Sequence, residues 1–85
     1  MPRLTYVSQT AESVSVDYAD MPASADVVFV DQTSGEKTPS QSGALAGGGD
    51  GSTEIPIPSL PAGKYYLLAQ EAGQYLAETI AFNIA

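Results

Sequence analysis

The sequence predicts an all-β fold, an antiparallel β-sandwich of about seven short strands. Short runs rich in β-branched and aromatic residues recur, with turn signals at intervals of about eight to twelve residues, and this spacing is typical of two packed sheets. No stretch shows a helical period of useful length. The 85 residues fit a single domain over residues 1–85, and the absence of cysteine means that no disulfide links its sheets.

The first two strands are predicted from short apolar patterns near the N-terminus. Residues 4–7 (LTYV) form a run that we expect at a sheet edge. Residues 13–18 alternate strictly, with Val14, Val16 and Tyr18 on one side and polar residues on the other. This period of two predicts a half-buried strand.

The next strands belong to a different part of the sandwich. Residues 19–25 contain Pro22 and small side chains, which favour a loop that crosses between the sheets. Residues 26–31 (DVVFVD) are too short for a helix and predict a buried central strand. Residues 37–40 predict a brief edge strand, because a proline lacks the N–H donor that a central strand needs.

A glycine-rich segment follows, and we predict a flexible loop over residues 42–52. It is interpreted either as a hairpin tip or as an arm that becomes ordered on a neighbouring subunit, with Leu45 as its apolar anchor and Asp50 as its only carboxylate. Residues 53–57 alternate again and predict a strand. Pro56 and Pro58 place that strand at an edge or end it early.

The stretch LPAGKYYLLA, residues 60–69, is the densest apolar run in the chain. Its turn signal at residues 61–63 precedes a predicted central strand over residues 64–70. Residues 71–74 predict a hairpin turn, in which Gly73 takes positive φ.

Residues 75–85 predict one long last strand with an irregularity. Its apolar residues fall into two sets of opposite parity, Tyr75 with Ala77 and Ile80 with Phe82 and Ile84. Both sets can face the core only if an extra residue is inserted, so we predict a β-bulge near Glu78 or Thr79.

With LPAGKYYLLA, a glycine turn and the closing AETIAFNIA, the chain resembles immunoglobulin-like and fibronectin type III-like sandwich domains. The resemblance implies an Ig-like fold with a corner built from Leu60, Gly63 and either Tyr65 or Tyr66. One of these tyrosines is then expected in the core, with its hydroxyl bonded to backbone near the turn. The antibody cysteine pair and tryptophan are absent, so the resemblance concerns architecture, which does not determine function.

Charge narrows the range of partners. Ten Asp and Glu residues oppose three Lys and Arg residues, giving a net charge of −7. This balance argues against nucleic-acid binding and against docking on an anionic membrane, since both need clustered cations. It fits a soluble chain or one that docks on a basic protein surface.

The sequence gives no indication of catalysis. It contains no histidine for a general base and no cysteine nucleophile, so we expect no enzyme activity and no cofactor. The glycine loop lacks the Lys-Ser/Thr ending of a phosphate-binding loop. Asp17, Asp20, Asp26 and Asp31 match no EF-hand spacing, so a calcium site is a minor alternative to solvation of strand ends, and we expect no metal site.

The candidate interface residues lie in two places. Tyr66 and Leu68 share the face of their strand that points away from Tyr65, and in a two-layer sandwich that face is predicted to be exposed and open to a partner. The second place is the glycine loop, through Leu45 and Asp50.

We therefore expect a non-catalytic structural protein that docks on a larger particle, such as a phage capsid decoration or virion surface protein. Its partners are then a capsid protein and symmetric copies of the chain itself. The alternative is an Ig-like spacer or binding module of a secreted or cell-surface protein. The N-terminus lacks the apolar region of a secretory signal, so we expect synthesis in a host cytoplasm and a place on the virion surface; the alternative function implies an extracellular place within a longer chain.

Overall fold

The structure is a computed structural model that describes residues 1–39 and 48–85. These residues form two antiparallel sheets, which confirms the all-β sandwich, with eight strands where about seven were predicted. The strands are β1 Arg3–Gln9, β2 Ser13–Met21, β3 Asp26–Asp31, β4 Lys37–Pro39, β5 Gly49–Pro56, β6 Gly63–Glu71, β7 Gln74–Glu78 and β8 Phe82–Ile84. In the described ranges, no helix has the length and apolarity needed to cross a membrane.

The three-stranded sheet has the order β1-β2-β5. Both β1 and β5 lie at edges, as predicted, and β5 ends at Pro56. The alternation of β2 is also confirmed, because Val14 and Val16 are buried and Tyr18 is half-buried. One prediction is wrong here: residues 49–52 are not part of a loop but open β5, where Ser52 pairs with Asp17 and Gly51 with Tyr18.

The five-stranded sheet has the order β4-β3-β6-β7, and β8 pairs with the beginning of β6. Strands β3 and β6 are therefore central and β4 is a short edge strand, as the sequence predicted. The β6–β7 hairpin turns through Ala72 and Gly73, which both have positive φ (50° and 80°), as a two-residue type I′ turn requires.

The predicted long last strand is divided into β7 and β8 by a bulge. Leu68 pairs with Glu78 and Tyr65 pairs with Phe82, so one extra residue lies in the segment between these pairs. The Thr79 backbone N–H donates to the Leu67 carbonyl (2.9 Å), and the Leu67 N–H donates to Thr79 Oγ1 (3.0 Å). The extra residue therefore lies after Thr79, slightly later than the predicted position near Glu78 or Thr79.

The main core lies between the two sheets. Its buried members are Leu4, Val14, Val16, Met21, Ala25, Val27, Phe29, Ile55, Tyr65, Leu67, Ala69, Ala77 and Phe82. Phe82 connects the layers, since its ring stacks on Tyr6 of β1 (5.3 Å between centroids) and meets Phe29 edge-on (6.4 Å). The Gln9 side chain also donates to the Asn83 carbonyl (2.8 Å), so β1 joins the two sheets at this side of the sandwich.

Tyr65, and not Tyr66, forms the corner that the sequence predicted with one of these two tyrosines. Its side chain is buried in the core and its hydroxyl donates to the Pro61 carbonyl, four residues earlier, at 2.7 Å. Burial raises the pKa of this phenol above its usual value of 10.0, and the carboxylates of Asp31 and Glu36 raise it further. The corner therefore depends on a protonated tyrosine.

This dependence predicts a loss of stability at alkaline pH. The folded-state pKa of Tyr65 is raised, so its contribution is fully present below the unfolded pKa of about 10 and is lost as pH rises from there through the folded pKa. Urea denaturation between pH 8 and pH 11.5 should show a steeper fall in unfolding free energy for the wild type than for Tyr65→Phe. The phenylalanine variant keeps the ring and the other four tyrosines. Parallel pH profiles of the two proteins would contradict the assignment.

Candidate interaction surface

The side of the five-stranded sheet that faces away from β1, β2 and β5 is called the outer face here. Side chains alternate along β3 and β6, so the residues between the core positions point to this face. Four of them, Val28, Val30, Tyr66 and Leu68, form a second apolar cluster that is separate from the main core. We refer to these four residues as the outer cluster.

The outer cluster corrects the prediction for Leu68. The sequence predicted an exposed Tyr66 and Leu68 pair, but Leu68 is only 8% exposed and Tyr66 is half-buried. Leu68 lies directly opposite Val28, and Tyr66 directly opposite Val30. Apolar side chains that face one another across adjacent strands shield each other from water. Leu68 is therefore part of the folded monomer's apolar structure rather than a free contact residue.

The exposed apolar side chains of the outer face are Tyr75 and Ile80. They are 62% and 71% exposed. Tyr75 pairs with Gln70, two residues along β6 from Leu68, and pairs of this kind share a face. Thr79 and Phe82 are both buried toward the core, so the bulge leaves Ile80 and Ala81 between them on the outer side, opposite Tyr66.

Two irregularities in the last part of the chain expose these residues. The register between β6 and β7 shifts between the pairs Ala69–Ala77 and Gln70–Tyr75, which turns Tyr75 away from the core side that Ala77 occupies. The bulge after Thr79 likewise turns Ile80 away from the core side that Phe82 occupies. The parity conflict in the sequence indicated an extra residue, but it did not show which side chains the extra residue would expose.

The charges on the outer face are balanced. Lys37 lies opposite Val30 and Glu78 opposite Leu68, at the two edges of the sheet. Asp26, opposite Gln70, and Lys64, opposite Asn83, occupy the two ends of the same face. Two lysines thus oppose two carboxylates here, in a chain whose net charge is −7. The excess of negative charge therefore lies elsewhere on the molecule.

The structure does not bring Asp50 to the outer face. Asp50 lies in β5 of the other sheet, and its Oδ1 accepts a hydrogen bond from the Asp20 backbone N–H (2.8 Å). Asp20, with φ of 55°, also contacts the Met1 amino group, which lowers the pKa of its carboxyl. Leu45 lies outside the described residues. Asp50 therefore lies on a different sheet from Tyr66 and Leu68.

The remaining aspartates are distributed among local structures. Asp17 accepts a hydrogen bond from the Ser52 hydroxyl (2.6 Å), and Asp31 accepts from the backbone N–H groups of Thr33 and Ser34 (2.8 and 3.2 Å). The second arrangement ends β3 in a turn, which is one of the strand-end roles expected for these acids. Within the described ranges, no group of three or more carboxylates is placed to hold a metal ion.

The opposite side of the sandwich carries a shallow open depression on the three-stranded sheet. It is lined by Val7, Ser15, Val16, Asp17, Ser52, Thr53 and Glu54. Its exposed apolar residue is Val7 (53% exposed), which lies at the register shift between Tyr6 and Ser8. The polar lining of this depression contrasts with the apolar outer face.

No protein family, curated protein or solved structure matches this chain. The resemblance to immunoglobulin-like and fibronectin type III-like domains therefore stays a prediction. The geometry of the outer face is what supports a function.

Proposed function

We propose that this protein is a non-catalytic assembly protein that docks on a larger particle through the outer face. The observation that carries the proposal is the exposure of Tyr75 and Ile80 beside the outer cluster. Aromatic and large aliphatic side chains in an apolar setting, with charged residues around them, are typical of the centre of a protein interface. A phage capsid or virion surface is the proposed particle, with a capsid protein as the partner.

The way Ile80 is presented supports a contact role. The bulge places an isoleucine side chain in solvent at the edge of a sheet, where a polar side chain would not lower the stability of the fold. The bulge itself is fixed by the buried Thr79 side chain, whose Oγ1 accepts from Leu67 and donates to the Ile80 carbonyl (2.8 Å). A backbone held in this way does not have to become ordered on binding, which favours affinity.

The particle proposal is tested by co-sedimentation. Particles purified on a density gradient from cultures that carry the gene should contain the chain in a regular copy number by mass spectrometry, and particles stripped of it should rebind the purified wild type. Ile80→Asp and Tyr75→Asp should each weaken rebinding by about tenfold or more, since each removes an apolar contact and introduces a charge at the interface. Val7→Asp is the control, because it makes the same change at an exposed apolar residue of the other sheet.

Two results would overturn the proposal. One is that the chain never co-sediments with a particle. The other is an open reading frame fused in frame to a hydrolase domain, which would favour the spacer or binding module of a secreted or cell-surface protein.

A further inference from the structure

We propose that the edge of β5 binds an extended, basic peptide segment of another protein, which adds a fourth strand to the three-stranded sheet. This edge belongs to the sheet opposite the outer face, so the inference goes beyond the proposed function and does not depend on it. β5 lies at the end of the order β1-β2-β5, and within the described residues β2 is the only strand that pairs with it.

The hydrogen bonds between β2 and β5 follow an alternation that starts just beyond the end of β5. In an antiparallel pair, residues that exchange hydrogen bonds alternate with residues that do not. The Ile57 N–H donates to the Glu12 carbonyl (2.8 Å), in the register that β2 and β5 share. The next pair is Pro56 with Ser13, and the Ser13 carbonyl accepts from the Thr10 N–H (2.8 Å) on its other side. Pro56 therefore occupies a position whose backbone groups face away from β2, where a proline is tolerated.

The same alternation leaves the backbone groups of Ser52 and Glu54 directed to the edge. The N–H and C=O groups of Thr53 and Ile55 face β2, so those of Ser52 and Glu54 face away from it. Both residues are exposed, and their side chains lie on the solvent side of the sheet because the neighbouring Ile55 is buried in the core. The edge thus presents two N–H and two C=O groups, about 7 Å apart along the strand, to an incoming strand.

The other edge strands are less suited to accept a strand. β4 and β8 have three residues each, and β4 ends in Pro39. The pairings of β1 with β2 and of β7 with β6 each contain a register shift. Short strands, prolines and bulges all protect a sheet edge against pairing. β5 keeps an unbroken register from Gly51 to Pro56, which makes it the most regular edge among the described strands.

The charges at this edge favour a basic occupant. β2 and β5 contain no lysine or arginine, and together they carry the carboxylates of Asp17, Asp20, Asp50 and Glu54. Within the described residues, only Asp20 among these has an ion-pair partner, the Met1 amino group. A lysine or arginine of the added strand opposite Glu54 lies on the same face and forms a cross-strand ion pair. A second copy of the chain would instead bring two acidic edges together, at a net charge of −7 each.

Peptide titration followed by amide hydrogen exchange, read residue by residue by NMR, tests the inference. The probe is a short peptide with blocked ends in which lysine and valine alternate, and the matched probe has glutamate in place of lysine. In the protein alone, the N–H groups of Ser52 and Glu54 should exchange rapidly with solvent. The lysine peptide should slow both exchange rates by about tenfold or more, because the two groups then donate to the added strand. The glutamate peptide at the same concentration should leave both rates unchanged.

Two variants separate the backbone contribution from the charge contribution. Ser52→Pro removes an N–H donor that faces the edge and keeps the bonds to β2, so the variant should fold and bind the lysine peptide about tenfold more weakly or worse. Glu54→Gln should weaken binding by about three- to tenfold, because it removes the ion pair. Glu78→Gln is the matched control, since it makes the same change of net charge at an exposed residue of the other sheet. Its affinity for the lysine peptide should stay within about twofold of the wild type.

Several results would overturn the inference. They are slow exchange of Ser52 and Glu54 in the protein alone, no binding of the lysine peptide up to about 1 mM, equal binding of both peptides, and equal effects of Glu54→Gln and Glu78→Gln. Protection of the two N–H groups that grows with protein concentration alone would assign the edge to a second copy instead. Ile80→Asp should leave peptide binding unchanged, because Ile80 lies on the opposite sheet, so the edge and the outer face are tested independently.

Discussion

Gly48→Ala should destabilise the domain by about 2–4 kcal/mol. Gly48 has φ of +60°, and a Cβ at this position would lie 2.6 Å from the Met21 carbonyl oxygen and 2.8 Å from the Ala23 nitrogen. Both atoms belong to the backbone, so no flexible side chain can move aside. The substitution therefore separates the beginning of β5 from the segment that follows β2.

Gly49→Ala is the matched control for this prediction. Gly49 also has positive φ (+72°), but nothing lies within 4 Å of a Cβ added there. Its substitution should cost only the conformational penalty of a left-handed alanine, about 1 kcal/mol. Urea denaturation of both variants gives the difference directly. Equal losses would show that the close approach of Gly48 to Met21 and Ala23 is absent in solution.

The loop prediction for residues 42–52 is wrong at residues 49–52, where tertiary contacts overrode composition, while residues 42–47 lie outside the described residues. Glycine disfavours strands, so residues 49–52 looked like loop. In the structure Gly51 pairs with Tyr18, and a Cβ on Gly51 would lie 2.8 Å from the Tyr18 hydroxyl. The absence of a Cβ on Gly51 thus makes room for the Tyr18 ring on the neighbouring strand, and a pairing between residues so far apart in the chain leaves no local signal.

The central strands were predictable because each has its own pattern. DVVFVD has the apolar content of a strand that is covered on both faces, and the dense apolar run LPAGKYYLLA indicated that β6 is the second central strand. The turn signal before β6 likewise located the tyrosine corner. Only the choice between Tyr65 and Tyr66 required the three-dimensional structure.

The candidate surface was predictable only in part. Parity placed Tyr66 and Leu68 on the outer side, which is right, but it could not show that Val28 and Val30 lie opposite them and reduce their exposure. It also could not show that two shifts of register bring Tyr75 and Ile80 to the same side. Exposure on a sheet depends on neighbours from other strands, and a single strand's pattern does not contain them.

The burial of Leu68 gives the second large prediction. Leu68→Ser should destabilise the monomer by about 2–4 kcal/mol, because it removes a buried apolar side chain from beside Val28 and leaves a hydroxyl in its place. Ile80→Ser on the same face should change stability by less than about 0.5 kcal/mol, since Ile80 is 71% exposed. Urea denaturation at low protein concentration, where the monomer prevails, measures both effects.

This contrast separates folding from binding at the outer face. Suppose that Leu68→Ser lowers the free energy of unfolding and Ile80→Ser does not. A loss of binding by the Leu68 variant then has two causes, partial unfolding and the lost contact. A loss of binding by the Ile80 variant has only one cause, the lost contact. An unchanged stability of Leu68→Ser would instead mean that Leu68 is open to solvent and available to a partner, as the sequence alone predicted. The centre of the interface would then move from the bulge at Ile80 to the middle of β6.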